Sequence, residues 1–350
     1  MSAAAEIGSE VVVPGETCLD VRDLKVHFAG RKTWRNRQPR VVKAVDGVSF
    51  KVADGETLAI VGESGCGKST LGRAILRVNE PTDGTINYRP RQGDWVDLTH
   101  LGINDLARYR LDLRMIFQDP FTALNPRQTV LEAIGQPLFA HGVPRREIRD
   151  RVADIMAKVG LRPEYMARYP HAFSGGERQR IVIARALVVR PHVVVADEAV
   201  AALDVSVRAQ TLNLLSDLQD ELKLTYLFIS HDLSVVRHIS DQVAVMYVGR
   251  LIEFGPTETV FRKPRHPYTS ALLSAIPVSS PDLRGKRPRQ QLAGEVADPA
   301  NPPSGCHFHP RCPFATEKCR TEIPLETPTS NGSTVRCHYW QQLDLEGIPS

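Results

Sequence analysis

Nine consecutive residues, Gly62-Glu63-Ser64-Gly65-Cys66-Gly67-Lys68-Ser69-Thr70, have the types and spacing needed to hold phosphate. Backbone N–H groups can curl round an anion here, because Gly62, Gly65 and Gly67 tolerate close approach and positive φ, and a helix start adds partial positive charge. In that arrangement Lys68 reaches the β- and γ-phosphates of a nucleotide and Ser69 takes a place on Mg²⁺. Ser64, Cys66 and Thr70 belong to the same binding run. A glycine-rich turn with an accidental lysine is the bland alternative. The strand-type run Thr57–Val61 before the loop and the helix-type run Leu71–Val78 after it argue against that reading, since the motif requires a strand turning into a helix.

Further along, Val193-Val-Val-Ala196 runs into two carboxylates, Asp197 and Glu198. A carboxylate at the end of an apolar strand is placed to hold Mg²⁺ through water opposite Ser69, and its neighbour to polarise an attacking water. His231, at the tip of Thr225–Ser230, can then serve the γ-phosphate. Taken alone, either Glu198 or His231 could be a polar strand end, and for a lone histidine that reading is the favoured one. Ser174-Gly175-Gly176-Glu177 precedes a long helical run and offers a hydroxyl and exposed N–H groups at a positive helix end. Ser174 with Glu177 three residues on also matches a capping box, and the two readings are compatible.

The remaining chemistry is sulfur. Four of the six cysteines, Cys306, Cys312, Cys319 and Cys337, fall in a proline-dense, loop-rich region, spaced C-x5-C-x6-C-x17-C. Four thiolates suit one Zn²⁺ or an iron–sulfur cluster, and such a centre would clip together a segment too poor in core residues to fold alone. No paired C-x2-C knuckles of the usual zinc type occur there. Met1–Pro14 shows no basic start followed by an apolar core, so no secretory signal is read and a reducing compartment is expected. The apolar runs are too short to suggest a membrane span. A formal net charge of +4 falls well short of a nucleic-acid footprint.

At 350 residues the chain exceeds a comfortable single core, and one large α/β domain with a smaller appendage is expected. Cys18–Phe28 alternates apolar and polar with one break, and Val41–Val52 follows as a second strand, so two antiparallel strands precede the nucleotide core. Between them Arg31–Arg40 is a basic excursion around Trp34. An apolar strand delivers Gln118 just before Pro120. From Val130 to Tyr169 the apolar spacing is helical, as at Ile148, Val152, Ile155 and Val159. Gln242–Val248 and Arg250–Phe254, with Gly249 as the turn, close the sheet, and the core ends near Pro256.

These motifs in this order resemble the ATP-binding subunit of an ABC transporter: Gly62–Thr70 (Walker A), Gln118 (Q-loop), Ser174–Glu177 (signature), Val193–Glu198 (Walker B), Ala202-Leu203-Asp204 (D-loop) and Ser230-His231-Asp232 (H-loop). The resemblance implies an α/β P-loop NTPase of the ABC type over 18–256, a RecA-like core with an N-terminal antiparallel β subdomain and a helical subdomain at about 128–189. Residues 257–340 are a C-terminal extension, and 1–17 and 341–350 are tails. It implies ATP and Mg²⁺ as ligands, with Glu198, His231, Gln118 and Lys68 catalytic. Ser69, Gln118 and Asp197 hold the metal, and Asp204 belongs to the nucleotide-binding set. Phe28 is favoured over Trp34 as the adenine platform. It also implies ATP sandwiched between the loop of one subunit and the signature of another.

His266-Pro267-Tyr268-Thr269 and Phe308-His309-Pro310-Arg311-Cys312-Pro313 resemble the extension of dipeptide and oligopeptide importers, and within that group Gly65-Cys66-Gly67 and the run 117–126 look closer to the second of the two ATPase subunits. Nickel and glutathione importers share these features. The implied partners are a sister ATPase subunit in a heterodimer, two membrane-spanning permease subunits and an extracytoplasmic peptide-binding protein, with the chain peripheral on the cytoplasmic face of the bacterial inner membrane. The resemblance implies a [4Fe–4S] cluster on the four cysteines, with Zn²⁺ the alternative. Phe173 and Glu177 stand where Leu and Gln are usual, and Ala199 and Ala201 where Pro and Ser are usual. A soluble ABC ATPase acting on nucleic acid or ribosomes is disfavoured, since such chains carry two cassettes or long coiled coils.

Overall fold

The computed structural model describes residues 15–30, 40–276 and 294–348. Trp34 and most of the basic excursion lie outside the described residues. Strands β1 (Thr17–Ala29) and β2 (Val41–Ala53) pair antiparallel, and the break in the β1 alternation is a bulge: the register shifts between Val21 and Leu24, with Asp23 at φ 44. The shift keeps Leu24 and Val26 on the buried face. After β3 (Thr57–Val61) and α1 (Lys68–Ile75), β4 (Asp83–Tyr88) and β5 (Val96–Asp97) complete a four-stranded antiparallel sheet in the order β2-β1-β4-β5.

The second sheet is built around β3, all five of whose residues are buried. Following α2 (Ile103–Tyr109), β6 (Leu113–Ile116) and α3 (Pro120–Ala123) lead into the helical region α4 (Val130–Ala140), α5 (Arg145–Lys158) and α6 (Gly175–Leu187). Then β7 (Val193–Asp197), α7 (Val205–Leu222), β8 (Thr225–Ser230), α8 (Leu233–Ile239) and β9 (Gln242–Tyr247) return to the sheet. β6, β7, β8, β3 and β9 lie side by side and parallel. Strands buried on both faces read as continuous Val/Ile/Leu runs, which is the pattern of Val193–Ala196.

One apolar cluster joins the helical region to β7 and β8 through residues such as Ile134, Val152, Ile183 and Phe228. A second fills the space between the two sheets, where Leu19, Val26, Ile60 and Leu71 meet.

At β10 (Arg250–Pro256) the chain turns back through Val248 at φ 42 and Gly249 at φ 77, two successive left-handed residues of the kind that tight hairpins require. The sheet continues past the expected end at Pro256. After α9 (Thr257–Arg262), α10 (Pro267–Ser274) and α11 (Glu317–Thr321), the short strands β11 (Thr327–Pro328) and β12 (Thr334–Val335) add to β10, with Val335 opposite Glu253. A third apolar cluster ties this region to the core: the rings of Tyr247, Tyr268 and Phe308 meet edge to face, with centroids 4.8 to 5.4 Å apart. Fully burying an apolar side chain of this size contributes about 1.5–3 kcal/mol.

Candidate nucleotide site

The parallel strands β3, β7 and β8 end on one side of the sheet, where α/β proteins place their ligand sites. β3 delivers the loop from Gly62, β7 delivers Asp197 and Glu198, and β8 delivers Ser230 and His231.

Two glycines in the loop are sterically required. A Cβ on Gly62 would lie 2.3 Å from the Met246 carbonyl oxygen, and one on Gly67, at φ 106, would lie 2.0 Å from the Ala44 carbonyl oxygen. The loop is thus seated on the backbones of β9 and β2. Gly67 is the N-cap of α1, and no acidic residue offsets the positive end of that helix. Lys68 is buried, and its ammonium donates to the carbonyls of Gly62 at 2.8 Å and Glu63 at 2.9 Å.

Across the loop, the Ser69 hydroxyl donates to Asp197 Oδ1 at 2.7 Å. Burial pushes the Asp197 carboxyl above its ordinary range, opposed by this bond and by the Arg73 guanidinium 4.0 Å away. A hydroxyl and a carboxylate side by side are hard oxygen donors of the kind Mg²⁺ takes, leaving its other positions for phosphate oxygens and water. Beside them, Glu198 is held from both sides: Gln118 Nε2 donates to Oε2 at 2.7 Å, and His231 Nδ1 lies 3.2 Å from Oε1. Gln118 follows β6, so three separate strand ends meet at one carboxylate.

Other expected residues lie elsewhere. Ser174 caps α6 in a complete capping box: its Oγ accepts from Glu177 N at 3.3 Å, while its own N–H and hydroxyl donate to Glu177 Oε2 at 2.9 and 2.8 Å. Those bonds hold the Glu177 carboxyl below its usual range. Ser174 and Gly175 face solvent, and neither has a hydrogen bond to this chain's own phosphate loop. Asp204 caps α7 through Val207 N at 3.0 Å and is also exposed. Phe28, on β1, has 44% of its surface exposed, enough for a ring face to receive a flat ligand.

A family model described as "ABC transporter" matches residues 45–201, and one described as "Oligopeptide/dipeptide transporter, C-terminal region" matches residues 252–319. The oligopeptide transport ATP-binding protein AppF of Bacillus subtilis is 49% identical over 327 residues, covering 93% of this chain and 98% of that one. The dipeptide transport ATP-binding protein DppF of Haemophilus influenzae is 52% identical over 303 residues, covering 86% and 90%. Among solved structures, cbiO1 of Clostridium perfringens, part of the ABC transporter complex cbiONQ, aligns with a TM-score of 0.58 at 28% identity over 70% of this chain and 91% of that one. The ATP-binding cassette MJ0796, solved as a dimer in a post-hydrolysis state with ADP and Pi, gives 0.58 at 25% identity, covering 68% and 98%.

The chain belongs to the ABC transporter ATPases. In this ABC ATPase the fold is the P-loop α/β core with its antiparallel β subdomain, as the motif order implies.

Cys306, Cys312, Cys319 and Cys337 are free thiols, with Cys319 buried and the others half-buried. Backbone bonds bring their segments together, Cys306 N donating to the Cys319 carbonyl at 2.8 Å. A single Zn²⁺ bound at about 2.3 Å would draw its sulfurs to roughly 3.8 Å from one another. No three of these sulfurs lie within 4.8 Å of one another. A different trio does: Cys18, Asp54 and His192. There, however, His192 Nε2 is 2.6 Å from Asp54 Oδ1, its Nδ1 is 3.0 Å from the Tyr88 hydroxyl, and burial pushes the Cys18 thiol up to about 12. These donors are engaged in a buried network that fastens the antiparallel sheet to β7 and β8.

Sequence reasoning missed the contacts made by Glu63, Tyr268 and Arg311. Glu63 sits inside the motif without being one of its signature positions, and its partner is 248 residues away. The His309-Pro310-Arg311 run was visible only as a family marker.

Proposed function

We propose that this chain is the ATP-hydrolysing subunit of a peptide importer, working as half of a dimer against two membrane-spanning permease subunits fed by an extracytoplasmic peptide-binding protein. The observation that carries the reading is the meeting of Gln118, Glu198 and His231 beside the Ser69–Asp197 pair at the mouth of the phosphate loop. Lys68 and the loop N–H groups bind phosphate, Ser69, Asp197 and Gln118 hold Mg²⁺, and Phe28 receives adenine. Bound Mg²⁺ supplies charge neutralisation at the γ-phosphate. Glu198 accepts the proton of a water that Gln118 helps keep in line while His231 serves the γ-phosphate, which is the positioning work that phosphoryl transfer requires.

The exposure of Ser174, Gly175 and Asp204 supports a composite site, in which these groups serve the nucleotide of a neighbouring subunit. A sister chain is the favoured neighbour. Permease docking is assigned to the cleft between the core and the helical region near Gln118 to Asn125, beside a groove of about 460 Å³ whose lining includes Val78, Met115, Phe117, Gln136 and Arg185. Among the described residues no helix is long and apolar enough to cross a membrane. The chain is read as a peripheral subunit at the cytoplasmic face of the inner membrane. Residues 18–256 are read as the nucleotide-binding domain and 257–340 as the extension. The four cysteines are read as ligands of a [4Fe–4S] cluster, with Zn²⁺ as the alternative occupant.

The test is direct. In chain co-purified with its permease subunits, Glu198→Gln is expected to keep ATP binding and to lose turnover by about 10²-fold or more. A normal hydrolysis rate in that variant removes Glu198 from the chemistry. Stimulation of wild-type turnover by peptides presented on the binding protein, and not by nickel or glutathione, identifies the cargo. A colourless, zinc-containing preparation would refute the cluster.

A further inference from the structure

Every polar group of Glu63 is committed. Its carboxylate accepts from both arms of Arg311, Nη1 to Oε2 at 2.6 Å and Nη2 to Oε1 at 3.1 Å. Its N–H donates to the hydroxyl of the buried Tyr268 at 2.8 Å. Its carbonyl accepts from Lys68 Nζ at 2.9 Å and from Cys66 N at 3.3 Å. Inside the loop, then, Glu63 is tied to the phosphate-binding lysine. Outside it, Glu63 is tied to two residues of the C-terminal region.

The clamp is rigid at its far end. The Arg311 side chain is only 6% exposed, and a planar guanidinium on a carboxylate fixes orientation as well as distance. Arg311 ends a short 3-10 turn, His309–Arg311, its N–H donating to the Phe308 carbonyl at 3.0 Å. Phe308 packs between Tyr247 and Tyr268, and the guanidinium carbon lies 6.0 Å from the Tyr247 ring centre. Arg311 also lies on the segment between Cys306 and Cys312.

We propose that Arg311 is a positioning residue for nucleotide binding: through Glu63 it sets the loop carbonyl on which Lys68 rests, so the C-terminal region is part of the ATP site of its own chain. Tyr268 does the same from the backbone side. The inference rests on the reading of Gly62–Thr70 as the ATP phosphate loop. The competing view makes the ion pair a simple fastener, whose loss lowers stability and leaves the affinity of folded protein alone.

The two views separate in the full-length chain by the KM and Kd for MgATP, measured beside the melting temperature. Arg311→Gln is expected to raise both constants on the order of tenfold, with a much smaller change in kcat. Arg311→Lys, which keeps the charge without the fork, falls between it and wild type, and Tyr268→Phe shows a smaller rise. Because the two residues act as one unit, Glu63→Gln combined with Arg311→Gln is no worse than the more damaging single change. Unchanged KM and Kd, with any loss confined to melting temperature or kcat, overturn the proposal, as do additive effects in the double variant. If Arg311→Gln does not fold, Arg311→Lys decides by the same criterion. Lys68→Ala is measured alongside: if it still binds ATP at wild-type affinity, the reading of the loop itself has failed, a result distinct from an unaltered Arg311 variant in a chain that Lys68→Ala disables.

Discussion

Glu198 occupies φ 48, a region that costs a non-glycine residue of order 1–3 kcal/mol unless its surroundings hold it there. Its N–H donates to the Ile229 carbonyl at 2.9 Å, and Gln118 and His231 hold its carboxylate, so the strained residue is fixed at backbone and side chain. Residues of this sort were legible in the sequence because their spacing within a strand end or a glycine run is local. Glu63 was not, since an ion pair with a partner 248 residues away leaves no periodic trace. Gly175 offers a clean test of the composite site. A Cβ there would meet nothing within 4 Å in this chain. Gly175→Asp is therefore expected to melt within about 2 °C of wild type, yet to lose ATP-driven dimerisation, because the added carboxylate would face an incoming phosphate. Normal dimerisation by light scattering would mean that this face meets no nucleotide.

At the scale of elements, β10 and the turn after α9 are joined by a buried acid. Glu253 accepts from Arg265 N at 2.6 Å and from His266 N at 3.0 Å, and burial pushes its carboxyl up to about 7 against the pull of those bonds. A folded-state value above the unfolded one means that the folded chain prefers the protonated acid. The stabilisation is complete below about 4.5 and is lost as pH rises through about 7. Glu253→Gln should flatten the dependence of melting temperature on pH across that window; an unchanged slope would show that the carboxyl titrates normally. The strands and helices themselves followed the apolar periods closely, with the break in β1 resolving into the bulge at Asp23. What periodicity could not show was the further pairing of β10 with β12. Two-residue strands are too short to alternate, and only the tertiary neighbour makes them strands.

For the whole molecule, the phosphate loop is enclosed on two sides: β2 and β9 crowd Gly67 and Gly62, and the C-terminal region holds Glu63. Cutting the chain after Pro256 would remove Tyr268, Phe308 and Arg311 together, exposing Tyr247 and leaving the Glu63 carboxylate without its arginine. Such a fragment is expected to aggregate or, if soluble, to bind MgATP more weakly than the full chain by roughly tenfold or more; titration calorimetry on the two proteins distinguishes this from an autonomous cassette. The order of the chain then has a consequence in time. Ribosomes add about 5–20 residues per second, so a loop whose clamp lies 248 residues downstream exists for roughly 12–50 s before the clamp is made. During synthesis the nucleotide core can collapse around its sheet while its loop is still slack. With Arg311 acting as proposed, tight ATP binding is then among the last properties the nascent protein acquires, and it arrives only once the C-terminal region has folded onto the loop.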